Sequence, residues 1–131
     1  MRHVSRILLI DDDEATNFLH RLVIESVNCA DELVVMTRAQ DALDYLMSEE
    51  NGRHPQPEII FLDINMPGMN GWEFLDTYNQ LPDSQKSQTV VVLLTTSLNP
   101  DDAERGRLEP AVSKFLSKPL THEALTQLLA G

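Results

Sequence analysis

Basic residues are scarce in this chain: ten lysines and arginines stand against 21 aspartates and glutamates among 131 residues, a formal net charge of -11. So acidic a chain repels polyanions and carries no broad basic patch, which argues against direct nucleic-acid binding. There is one cysteine, Cys29, so no intramolecular disulfide can close, and the residue reads as a small buried apolar side chain. No apolar run approaches the ~20 residues of a membrane span. The N-terminal run is too short for a signal peptide and lacks a small-residue cleavage site, and there is no internal repeat or low-complexity tract. Neither a G-x-G-x-x-G nor a P-loop lysine motif occurs, which leaves a nucleotide- or flavin-binding module with little support. The expectation is one soluble, cytoplasmic domain over residues 1-131, since 42% hydrophobic residues supply one core and not two.

What is present is an alternation. Short apolar runs with β-branched residues, at 7-10, 32-36, 58-62, 90-94 and 113-117, alternate with stretches of helical period, the pattern of βαβ units around a parallel sheet. The first helix carries apolar residues at Ala15, Phe18, Leu19, Leu22, Val23 and Val27, a three- and four-residue rhythm that predicts its buried face. The second, 40-47, is expected to turn Ala42, Leu43, Leu46 and Met47 inward, and the third to cover 71-81. Residues 48-57, SEENGRHPQP, read as a surface loop and a candidate insertion. Asn99 should cap a short fourth helix, with Pro100 first and Asp101 and Asp102 in the turn where the helix dipole favours anions. Thr121 should cap a fifth helix with Leu125, Leu128 and Leu129 on its buried side.

In an open parallel sheet the ligand crevice lies beyond the carboxyl ends of the strands, and the chemically informative residues all fall there. Asp11, Asp12 and Asp13 follow the first strand, Asp63 the third, Thr95, Thr96 and Ser97 the fourth, and Lys118 the fifth. Right-handed crossovers put strands one, three, four and five on adjacent tracks, so these side chains should converge. Gathered carboxylates repel: at an effective dielectric of 20, a pair ~4 Å apart costs about 4 kcal/mol. Mg²⁺, a hard ion that binds through one or two carboxylates beside a phosphate, would offset this, with Lys118 as a second positive charge. A neutralised aspartate of this kind can act as a nucleophile and form an aspartyl phosphate.

The segments LLIDDDE, FLDINMPGMNG, LLTTS and KFLSKPL occur in the order and approximate spacing of the receiver domain of two-component response regulators, and the resemblance covers nearly the whole chain. It implies a flavodoxin-like, doubly wound five-stranded parallel sheet, strand order 2-1-3-4-5, with five helices on both faces. It makes Asp63 the phosphorylated residue, Asp12 a direct Mg²⁺ ligand, Asp11 one acting through water, and Asn65 the position whose backbone carbonyl completes the metal shell. Thr95 matches the switch hydroxyl, Lys118 the family's lysine, and Phe115 the aromatic switch, here without a phenolic hydroxyl. The Lys118-Pro119 bond is expected to be cis. The longer 48-57 loop resembles a subgroup of stand-alone receivers, and the expectation is a single receiver domain with no output domain. The implied function is a phosphorelay switch: phosphoryl transfer from a phosphohistidine on a sensor histidine kinase or phosphotransfer protein to Asp63, then signalling by binding a protein partner.

Each residue has a plainer reading. Asp63 could begin a turn, Asp13 and Glu14 are read as helix-entry residues, Lys118 alone could be a surface lysine, and Phe115 an ordinary core aromatic. Trp72 reads as a packing residue. His3, His20, His54 and His122 share no metal-like spacing and are read as surface or structural. Two rivals share the key residues: a Mg²⁺-dependent aspartyl-nucleophile phosphohydrolase of the haloacid dehalogenase kind, which wants an acid where Asn65 stands, and an unphosphorylated pseudo-receiver scaffold.

Overall fold

The computed structural model describes residues 3-86, 88-96 and 99-130. Strands and helices alternate as β1 (Val4–Ile10), α1 (Glu14–Val27), β2 (Ala30–Met36), α2 (Ala39–Met47), β3 (Ile59–Leu62), α3 (Gly71–Tyr78), β4 (Val90–Thr95), α4 (Pro100–Leu108), β5 (Val112–Ser117) and α5 (His122–Ala130), with one 3₁₀ turn at Asp83–Gln85. The sheet is wholly parallel in the order β2-β1-β3-β4-β5.

The central strands β3 and β4 are buried along nearly their whole length, because helices cover both faces. Alternate residues feed two cores. Leu8, Ile10, Ile60, Leu62 and Leu93 pack with Leu43, Leu46, Trp72, Phe74 and Leu75. On the other face Ile7, Leu9, Phe61, Val92 and Leu94 pack with Ile24, Leu125 and Leu129. Burying one such side chain is worth about 1.5–3 kcal/mol. The expected caps form: Asn99 accepts from the Asp101 N–H and Thr121 from the Ala124 N–H. Asn70 and Glu73 make a reciprocal capping box at the start of α3, and the Lys118-Pro119 bond is cis.

Three expectations about the helices need correction. Helix α1 does not bury its apolar stripe: Ala15 is exposed, and Phe18, Leu19 and Leu22 are 61%, 56% and 49% exposed. Its inner face is instead Asn17, His20 and Ile24, with Val23 and Val27 partly covered. The first turns of the helix lie by the residues that follow β1 and β5, and polar side chains there turn inward to bond the backbone: Asn17 donates to the Asp11 carbonyl, and His20 accepts from the Leu120 N–H. Met47, the last residue of α2, is also exposed. Helix α3 stops at Tyr78, three residues early, with Asn79 as its cap.

The register is what positions the site. Ile10 pairs with Met36 and with Leu62, so β1, β2 and β3 end level, and Leu62 pairs with Leu93, beyond which β4 runs two residues further to Thr95. The ladder runs one step further at each end: the Asp11 N–H donates to Met36, the Asp63 N–H to Ile10 and the Lys118 N–H to Thr95, at 3.1, 3.0 and 2.8 Å. The 48-57 loop lies by Ser5, Arg6 and Glu32, at the opposite end of the strands.

Candidate functional site

Asp63 ends a strand on a carboxylate because the strand stops at the sheet's carboxyl edge, where a polar pocket replaces the apolar layers. Its side chain is nearly buried, as is that of Asp11, while Asp12 is exposed. One carboxylate oxygen from each of Asp11, Asp12 and Asp63 lies within 4.8 Å of the others. The Lys118 ammonium enters between them, 2.5 Å from Asp11 Oδ2 and 3.4 Å from Asp63 Oδ1. The Asn65 N–H points at Asp63 Oδ1 over a long 3.4 Å. Thr95 is buried at the end of β4, beside Ser117 of β5. Phe115, on β5 opposite Leu93, is half-buried with its ring against Gly106 of α4. Of the sequence-predicted residues, Asp11, Asp12, Asp63 and Lys118 thus share one pocket. Ser97 lies outside the described residues, and Asp13 turns away to cap α1, accepting from the Thr16 N–H and hydroxyl.

The charges are coupled. Burial pushes the Asp63 carboxyl above its usual range and the Asp11 charge adds to this, while Lys118 opposes both. Burial works against the Lys118 ammonium, yet its hydrogen bond to Asp11 and the charges of Asp63 and Asp11 outweigh it and hold the amine above its ordinary value. Three carboxylates against one ammonium leave the pocket in want of positive charge, and oxygen donors so close together suit a hard divalent cation.

Sequence reading missed three contributors. Gly71 lets the first turn of α3 rest on the backbone after Asp63: a β-carbon there would lie 2.6 Å from the Asp63 carbonyl oxygen and 2.8 Å from Ile64 Cα. Asn17 and His20 are the others. Burial, then the charge of Lys118, lowers the His20 imidazole below its usual value, with Asp11 opposing, the direction that suits an Nε2 accepting from the Leu120 N–H. The four histidines otherwise make separate contacts: His3 with Asp31, His54 with the Ser48 carbonyl and His122 with Ser26. Trp72 is a packing residue, with the Arg105 guanidinium 4.7 Å above its ring.

The response regulator receiver domain family matches this sequence over residues 7-130. The chain belongs to that family. This receiver domain is similar to a two-component response regulator from Cytophaga hutchinsonii of known structure, at 38% identity and a TM-score of 0.84, covering 97% of this chain and 95% of that one. It is 32% identical over 126 residues to response regulator Rcp1 of Synechocystis, covering 95% of this chain and 84% of Rcp1. The Mn²⁺-bound structure of Rcp1 matches with a TM-score of 0.74 at 29% identity, covering 95% and 88%. The phosphorylated cyanobacterial phytochrome response regulator RcpA matches with a TM-score of 0.76 at 26% identity, covering 97% and 89%. The receiver domain has the flavodoxin-like fold of these neighbours, and none of the helices among its described residues is long and apolar enough to cross a membrane.

Proposed function

We propose that this receiver domain is a phosphorylation-dependent switch of a two-component or phosphorelay system, accepting a phosphoryl group on Asp63 from a phosphohistidine of a sensor histidine kinase or a histidine phosphotransfer protein. The observation that carries it is the Lys118 ammonium standing between two nearly buried carboxylates, 2.5 Å from Asp11 and 3.4 Å from Asp63. A carboxylate that is desolvated and flanked by a cation is a poised nucleophile.

In the transfer, an Asp63 carboxylate oxygen forms the new O–P bond as the P–N bond to the donor imidazole breaks; the nitrogen keeps the electron pair and takes up a proton. Asp11, Asp12, Asp63 and the Asn65 backbone carbonyl would hold a Mg²⁺ ion, which supplies positive charge against the phosphoryl oxygens. Lys118 turns from Asp63 to a phosphoryl oxygen, so that positioning and electrostatics carry the catalysis. The Thr95 hydroxyl then moves to another phosphoryl oxygen, and Phe115 follows inward against β4, which biases a two-state equilibrium. The face of α4, β5 and α5 is the surface a protein partner reads. Phe18, Leu19 and Leu22, exposed on α1, offer the protein donor an apolar surface. Water attack on the aspartyl phosphate resets the switch, so the protein is a phosphoacceptor rather than a turnover enzyme. We read residues 1-131 as one receiver unit acting in the cytoplasm, where histidine kinases present their phosphohistidine.

The test is incubation with acetyl phosphate and Mg²⁺, with mass spectrometry before and after hydroxylamine. One hydroxylamine-labile phosphoryl group is expected, absent in Asp63→Asn. Labelling that persists in Asp63→Asn overturns the assignment. Sustained turnover of phosphomonoesters would favour the phosphohydrolase, and no labelling at all a pseudo-receiver.

A further inference from the structure

His20 is fully buried on the inner face of α1, and its Nε2 accepts the Leu120 N–H at 3.1 Å. An accepting Nε2 places the ring proton on Nδ1, an atom with no hydrogen-bond partner among the described residues. A buried donor left in that state costs stability, so an apolar side chain would serve the helix better if packing were its only task.

The place of the bond indicates the task. Leu120 is two residues past Lys118, and the intervening Pro119 has no N–H to give. The Leu120 amide is therefore the first backbone donor after Lys118 that can tie this segment down. On the near side, the Lys118 N–H is held by the Thr95 carbonyl at 2.8 Å. One turn before His20, Asn17 donates from Nδ2 to the Asp11 carbonyl at 2.7 Å. The links close a ring: Asp11 to Asn17, along α1 to His20, across to Leu120, back to Lys118, and through its ammonium to Asp11 Oδ2. Helix α1 thereby fixes the end of β1 and the segment after β5 relative to each other, at the two points between which the ammonium is stretched.

We propose that His20 is a positioning residue for phosphoryl acceptance: by holding the Leu120 N–H it sets Lys118 where its ammonium meets both Asp11 and Asp63. The proposal rests on the reading of Asp63 as the acceptor, and a misplacement of about 1 Å at such a group can cost a hundredfold in rate.

Two variants separate positioning from packing. His20→Leu keeps the volume apolar and removes the acceptor; His20→Gln puts an amide oxygen where Nε2 stood. With acetyl phosphate and Mg²⁺, His20→Leu should phosphorylate about tenfold more slowly while unfolding cooperatively, and His20→Gln should recover most of the rate. The positioning is read without any donor from ¹⁵N relaxation at the Lys118 and Leu120 amides, which should loosen in His20→Leu and not in His20→Gln. In the wild type, a ¹⁵N–¹⁵N coupling across the hydrogen bond should join the Leu120 amide to His20 Nε2. Absence of that coupling, unchanged order in His20→Leu, or rates that follow thermal stability alone in both variants overturns the proposal. A wild type that takes up no phosphoryl group would sink the reading of Asp63, while the relaxation and coupling data still decide the role of His20.

Discussion

The ring of Phe115 occupies space that any side chain at residue 106 would need: a β-carbon on Gly106 would come within 2.6 Å of Phe115 Cδ2 and 3.2 Å of Leu93 Cδ1. Gly106→Ala should therefore drive the half-exposed ring outward. Alanine gains about 1 kcal/mol of helix propensity over glycine, and overpacking costs about 1–3 kcal/mol, so relief by the ring should leave stability within about 1 kcal/mol of wild type. The signature is coupling. In a denaturant double-mutant cycle, Phe115→Ala should cost less in the Gly106→Ala background, by at least about 0.5 kcal/mol; strict additivity would show that the ring does not depend on the glycine.

Gly71→Ala meets a harder obstacle, because the atoms facing it are the backbone of Asp63 and Ile64, which cannot rotate aside. A loss of about 1–3 kcal/mol is expected, together with slower acetyl phosphate labelling as the loop carrying Asp63 is displaced. Urea unfolding and labelling rates measure the two effects, and a variant with normal values for both would mean that α3 moves freely.

Asp63→Asn should stabilise the divalent-free protein at neutral pH. Burial raises the folded-state value of this carboxyl above its unfolded one, so its contribution is fully present below the unfolded value and lost as pH rises through the folded value. The wild type should lose ground to the variant as pH climbs out of the acid range, with the widest gap at neutral pH. Thermal melts in chelator across that range give the sign directly; a variant less stable at neutral pH contradicts it.

Adding Mg²⁺ should raise Tm, since three carboxylates share the pocket with one ammonium. At a hundred times Kd the gain is about 2.7 kcal/mol. Asp12→Ala should shrink the shift and leave the divalent-free melt little changed, because Asp12 is exposed. An equal shift in wild type and Asp12→Ala would remove Asp12 from the ligand set.

The sequence showed some parts and hid others for physical reasons. Asp11 and Asp63 were legible because each directly follows an apolar run, and a charge just past a buried strand is conspicuous, whereas Lys118 follows Ser117 of the only partly buried β5 and was legible through the KFLSKPL segment and its place at the strand end. The inner face of α1 was not, since hydropathy favours Phe18, Leu19 and Leu22 while the fold needs Asn17 and His20 to bond the Asp11 carbonyl and the Leu120 amide. Likewise β1 starts at Val4 rather than Ile7. Its polar Arg6 is held by Glu32 and the Tyr45 hydroxyl, partners no local pattern announces. Gly71 is a matter of close approach between segments, which only coordinates display.

Trp72 is the only tryptophan in the chain, and the cation above its indole belongs to a different helix, α4. Any rearrangement that carries Arg105 away changes the electric field at the protein's sole indole fluorophore. Its intrinsic emission can therefore follow α4 in real time, with no dye attached.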